Sequence, residues 1–160
     1  MTYDIRTLLN RAVEHAVDYR ASLNEHAGRP EHSYAEMRDR LSEQLPERGA
    51  APLAVLEELV GRSQGGLMPI TGPRFFGWVM GASHPAGVAA DWLVSAWGQN
   101  AGYHTPTPAA AAMEEVAERW LLEILDLPRQ SSIGFTTGAT VAGAVGLAAA
   151  RTRVLLDAGW

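Results

Sequence analysis

Cysteine and lysine are both absent from this chain of 160 residues. Without cysteine there is no disulfide, no thiolate metal centre and no thiol nucleophile. Without lysine no side-chain amine can serve as base or nucleophile, or condense with a carbonyl. All 13 basic residues are arginine, and the formal net charge is −5. No basic stripe forms, which excludes a general nucleic-acid or anionic-membrane binder. Long apolar runs are also lacking: none reaches the roughly 18 residues of a spanning helix without a Gly, Pro or polar interruption. The first residues, MTYDIRTLLNRAVEHAVDYR, mix charged and apolar types, unlike a signal or transit peptide, so a cytoplasmic location is the expectation. Five histidines show no metal spacing; His26 and His32 fall in a Gly/Pro-containing loop without a third ligand.

What is present reads as mainly α. Hydrophobic residues make up 47% of the chain, enough for a soluble core. Apolar periodicity predicts a helix over 4–23, with Ile5, Leu8, Leu9, Ala12, Ala16 and Val17 on its inner stripe. A short polar helix over 34–45 and one from Pro52 to about Arg62 follow. Residues 64–73 hold three glycines and two prolines and read as a linker. The expected organisation is a helical segment over 1–63, the linker at 64–73, and a different unit over 74–160. A buried helix is expected over 85–99. Another starts at Thr107-Pro108, with Thr as N-cap, and runs to about Asp126. Its apolar face is Met113, Val116, Ala117, Trp120, Leu121 and Ile124. Its carboxylates, with Glu115 and Arg119 in the favourable i,i+4 order, read as a solvated face.

Two segments stand apart. Between Arg74 and Glu114 the only formal charge is Asp91, and three of the five tryptophans lie there. Charged side chains normally cover solvent-facing surface, so this stretch asks for burial against a partner or further polypeptide. The second is Ile133 to Arg151, IGFTTGATVAGAVGLAAAR, where an extended run turns into a helix rich in small residues. A helix N-terminus carries unpaired N–H groups and partial positive charge, which suits an anion. Thr137 and Thr140 can add hydroxyl donors, and Gly138 lets a ligand approach the backbone. An ordinary N-cap, with Thr capping and Gly at the turn, accounts for the same residues without a ligand.

Three ordered blocks resemble one family. PRFFGWVMGASHPAGVAADWLVSAWGQNAG, then TPAAAAMEEVAERWLLEILDLP, then GFTTGATVAGAVGLAAAR are similar to the group II decarboxylases. These are pyridoxal-phosphate enzymes of the aspartate-aminotransferase fold, such as aromatic-amino-acid and glutamate decarboxylases. The resemblance is loose before Pro73 and close from there to Trp160. It implies an N-terminal helical segment plus the first helix of a fold-type-I α/β large domain whose sheet is missing from this chain.

The resemblance also implies roles. Thr137, Gly138, Ala139 and Thr140 match the residues that hold the cofactor phosphate; the family usually has Ser where Gly138 or Thr140 stands. Val79 to Ser83, with Gly81 and Ala82, matches a substrate-side loop. The Gly102-Tyr103-His104 turn matches a segment lining the partner subunit's substrate pocket. His84 and His104 read as hydrogen-bonded structural residues. The family's Schiff-base lysine, the acid facing the pyridine nitrogen and the stacking histidine follow the phosphate motif in family order. The implied activity is release of CO2 from an amino acid through an aldimine, with pyridoxal 5'-phosphate as cofactor and a homodimer as the working unit. A truncated piece, inactive alone, is the expectation for this chain. A split enzyme completed by a lysine-bearing C-terminal polypeptide and a non-catalytic helical interaction protein are the alternatives.

Overall fold

A computed structural model of the chain describes residues 4–160. Six α-helices and no strand occur among them: α1 (Ile5–Ser22), α2 (Tyr34–Leu41), α3 (Pro52–Ser63), α4 (Pro85–Trp97), α5 (Pro108–Ile124) and α6 (Ala139–Asp157). The mainly α reading is therefore correct. The chain divides into two compact units, Met1–Asp91 and Trp92–Trp160, with the division inside α4.

In the first unit α1 and α2 both pack on α3. Asp4 starts α1 by accepting from the Arg6 N–H at 3.0 Å. Of the expected inner residues of α1, Leu8, Ala12 and Ala16 are half-buried, together with Arg11, His15 and Tyr19, whereas Ile5, Leu9 and Val17 are exposed. The covered side is shifted toward polar residues because these have a partner. Arg11 grips the carboxylate of Glu57 on α3, and His15 Nε2 lies 3.1 Å from Glu57 Oε2. Helix α2 opens with a capping box, in which Ser33 and Glu36 exchange bonds. It ends at Leu41 instead of Leu45, because Ser42 is already extended at φ −70°, ψ 121°. Residues 64–73 close back on the unit. The Gly65 carbonyl accepts from the N–H groups of Glu31 (2.8 Å) and His32 (3.0 Å), and Tyr19 donates to the Met68 carbonyl at 3.3 Å.

The Glu57 cluster makes the α1–α3 contact sensitive to acid. The Arg11 guanidinium first, and His15 second, hold the Glu57 carboxyl below its ordinary value of 4.5. A depressed carboxyl contributes stability above its unfolded value, and loses it as pH falls through the folded one. Circular dichroism followed downward from pH 6 should therefore show helix loss beginning below about 4.5. Glu57→Gln should flatten that acid limb, and an unaltered limb would remove Glu57 from the account.

In the second unit the buried hydrophobic residue is Leu122, at 3% exposure, while Met113, Trp120 and Ile124 of the expected face are open. The loop after α5 folds over a different side. Leu127 N–H donates to the Leu122 carbonyl at 2.9 Å, Arg129 donates to the carbonyls of Leu122 and Leu127, and Ile133 N–H donates to Glu118 Oε1 at 3.0 Å. Glu118, expected on the solvated face, thus holds the chain leaving α5. The Glu115–Arg119 ion pair does not form among the described residues. Asp126 takes φ 51° in this turn, with its N–H on the Glu123 carbonyl at 3.1 Å. These are the bonds of a Schellman stop, whose left-handed residue is most often Gly. Asp126→Gly should accordingly stabilise by about 0.5 kcal/mol, raising Tm by about 2 °C.

Helix α4 corrects one expectation: none of its residues is buried, and Trp97 is 55% exposed. The uncharged character predicted cover, and the described residues do not supply it. Helix α6 is likewise exposed along its length. Its length of 19 residues and window hydropathy of 1.3 would suffice to cross a membrane by composition alone.

Candidate functional site

The turn into α6 is built from the end of α5 outward. Glu118 fixes Ile133, and residues 133–138 then run without regular structure to the helix. Gly138 is the N-cap, at φ 173° and ψ 168°, an extended conformation open to any residue. No side chain caps this helix. No threonine therefore occupies the first-turn N–H groups. The first helical bond runs from Ala142 N–H to the Gly138 carbonyl at 3.0 Å. The N–H groups of Ala139, Thr140 and Val141 precede it and are left for another acceptor.

The hydroxyls around the turn divide in two. Thr136 donates to the Gly138 carbonyl at 3.2 Å and is used inside the turn. Thr137 and Thr140 are exposed, and their hydroxyls have no protein partner among the described residues. A Cβ built on Gly138 would meet nothing within 4 Å, so the space above the turn is open. The first turn of α6 carries no acidic side chain, and no ionisable residue stands between Arg129 and Arg151. The electrostatics at this point come from the helix dipole and neutral donors, both favourable to an anion.

The remaining expected positions fall in both units. Tyr103 and His104 share the second unit with the α6 turn, and both are exposed. Their loop is held by Thr107, whose one hydroxyl proton is shared between the carbonyls of Asn100 and Tyr103, each 2.5 Å from Oγ1. Asn100 Oδ1 in turn accepts from the Gly102 N–H at 2.9 Å. Thr107 does precede α5, but it makes no cap bond; its hydroxyl serves the upstream loop. A threonine before proline signals a cap in sequence, and this second use has no local signature. Gly81 and Ala82 lie in the first unit, in the irregular segment before α4. His84 Nδ1 accepts from the Ala86 N–H at 3.2 Å, the structural use expected of it. No cluster of three metal-ligating side chains exists among the described residues. The first unit also has a groove of about 860 Å³ beside Tyr19, His26 and Leu59, which contains none of the expected site residues.

Residues 35–158 match the pyridoxal-dependent decarboxylase conserved domain. The chain belongs to the pyridoxal-dependent decarboxylase family. It is 28% identical over 125 residues to tryptophan decarboxylase 1 of Oryza sativa subsp. japonica, a match covering 78% of the chain and 24% of that relative. It is also 28% identical over 118 residues to the aromatic-L-amino-acid decarboxylase of Bacillus atrophaeus, covering 72% and 24% respectively. The chain thus spans about a quarter of the length of the curated relatives it matches.

The family's cofactor is pyridoxal phosphate. The turn at 137–140 fits the phosphate end of that group: free first-turn N–H groups, two uncommitted hydroxyls, open space over Gly138 and no opposing negative charge. The aldehyde end has no lysine to meet within these 160 residues.

Proposed function

We propose that this chain supplies the phosphate side of the cofactor site in a pyridoxal-phosphate-dependent amino-acid decarboxylase. The observation that carries the reading is the uncapped, charge-free start of α6 inside a stretch that matches the family domain. Thr137, Gly138, Ala139 and Thr140 hold the phosphate: the N–H groups of Ala139 and Thr140 and the two threonine hydroxyls donate to its oxygens. The dipole of α6 adds to the attraction without any arginine or lysine. Gly81 and Ala82 belong to a substrate-side loop, and Tyr103 and His104 to a turn that lines the partner subunit's substrate pocket. When bound, pyridoxal phosphate provides the electron sink for the pair left behind by the departing carboxylate.

The lysine of the complete site comes from polypeptide outside these 160 residues, along the same protein or on a partner. Alone, the chain is inactive. A homodimer, or assembly with a lysine-bearing complement, covers the exposed, nearly uncharged stretch around α4. Both named relatives are decarboxylases of aromatic amino acids, so that class is the first to test.

The experiment is a labelling one. Pyridoxal phosphate and borohydride applied to the isolated chain should give a stable adduct at the N-terminal amine only, and none after that amine is blocked. Joined to a lysine-bearing family polypeptide, the chain should release CO2 from an amino acid. A stable adduct on the blocked chain, or an assembled and inactive complex, would sink the reading.

A further inference from the structure

The segment between Pro73 and α4 is fastened to the end of α1 at two points. Arg20, in the last turn of α1, reaches a residue 63 positions away: Nη1 donates to Ser83 Oγ at 2.9 Å and Nη2 to the Ser83 carbonyl at 3.0 Å. From the other end of the segment, Arg74 Nη2 donates to the carbonyls of Asn24 at 2.7 Å and His26 at 2.6 Å, just beyond α1. Between the fasteners the backbone enters the left-handed region twice in succession, at Trp78 (φ 59°) and Val79 (φ 55°). A β-branched residue takes this conformation only where its surroundings impose it. Val79 is fully exposed, and Trp78 meets the Phe75 ring edge-on at 5.9 Å, within the segment itself. The two arginines are what tie the ends of the segment to the end of α1.

We propose that Arg20 is a positioning residue for the loop 79–83: its two-pronged grip on Ser83, opposed by Arg74, holds Gly81 and Ala82 in one arrangement. The proposal rests on the assignment of that loop to the substrate side. The planar guanidinium is what the geometry requires, because two parallel N–H groups meet a hydroxyl and a carbonyl of the same residue. A lysine ammonium at position 20 would keep the charge near the end of α1 but not the fork. An interaction that orients the loop without touching reacting atoms acts on substrate binding, so its loss raises KM and spares kcat.

Two measurements test it. In the chain as it stands, ¹⁵N relaxation should give rigid order parameters of about 0.85 at Met80–Ser83, falling below about 0.6 in Arg20→Ala. Ser83→Ala, which keeps the carbonyl prong, should lie between them, and α3 should be unaffected in both variants. In the complex with a lysine-bearing polypeptide, Arg20→Ala should raise KM for the amino acid at least fivefold, with kcat within twofold. Arg20→Lys should restore only part of that, and Arg20→Ala added to Ser83→Ala should cost less than it does alone. Unchanged order parameters in Arg20→Ala would overturn the clip. A loosened loop with unchanged KM would overturn its positioning role. An inactive wild-type complex whose loop still loosens in Arg20→Ala would instead overturn the decarboxylase reading, and with it the substrate part of this proposal.

Discussion

Thr140→Ala is expected to weaken pyridoxal phosphate binding by about 1–2 kcal/mol, the usual loss for one charge-assisted hydrogen bond. That is about 5- to 30-fold in Kd. The measurement is a cofactor titration in the complex with a lysine-bearing polypeptide, read by fluorescence quenching. Stability should not follow. Thr140 occupies the first turn of α6, is exposed, and has no bond to lose among the described residues; alanine is the better helix former there. A Tm equal to wild type with weakened binding separates phosphate contact from folding. Gly138→Ser gives the opposite arm. The site has room for a side chain and its φ of 173° suits any residue, so a serine adds a hydroxyl at no conformational cost. Binding should tighten. Unchanged affinity in both variants would take the α6 turn out of the cofactor site.

The sequence carried the helices and the turn for local reasons, and missed what depended on distant partners. Pro52 and Pro108 mark helix starts correctly, because a proline at the first position sacrifices no hydrogen bond. Gly159, at φ 82°, stops α6 with Trp160 N–H on the Leu155 carbonyl at 3.0 Å, a stop the sequence reading left unassigned. Periodicity found Leu8, Ala12 and Ala16 on the inner face of α1 and missed Arg11 and His15, which are covered by meeting a carboxylate more than 40 residues away. Aliphatic spacing alone would never choose those two. Leu122 was missed for the same reason: the loop carrying Arg129 and Ile133 covers a side of α5 that the heptad-like spacing leaves out.

For the α6 turn, local sequence favours an ordinary cap over anion binding. The structure shows the cap bond is not made: Thr136, Thr137 and Thr140 stand near the helix start, and none caps it. Thr136 is committed to a carbonyl, which leaves Thr137 and Thr140 as the donors available to a ligand. The family match makes pyridoxal phosphate the ligand to try on those donors. The exposed stretch around α4 fits the same picture. A surface with one charge and three tryptophans is costly in water, and α4 leaves its share of it exposed.

The other large effect expected is on stability, at Gly65. Its φ of +77° already disfavours any L side chain, by about 1–2 kcal/mol. The backbone cannot relax, because the Gly65 carbonyl accepts from both Glu31 and His32 and so joins the end of α3 to the start of α2. An added methyl would lie 2.7 Å from Cδ2 and 2.9 Å from Nε2 of His32. Moving that ring away breaks its bond with Arg40, whose Nη1 lies 3.3 Å from His32 Nε2. Gly65→Ala should therefore cost about 2–3 kcal/mol, the backbone penalty plus a displaced contact. Gly66 is the control. A methyl there also crowds a side chain, at 2.6 Å from the Met37 Sδ and Cε, but φ at Gly66 is not in the left-handed region and an unbranched thioether can swing aside. Gly66→Ala should cost less than about 1 kcal/mol. Urea unfolding of both variants decides the matter: equal midpoints would mean that neither the left-handed backbone nor the His32 contact constrains the α2–α3 junction.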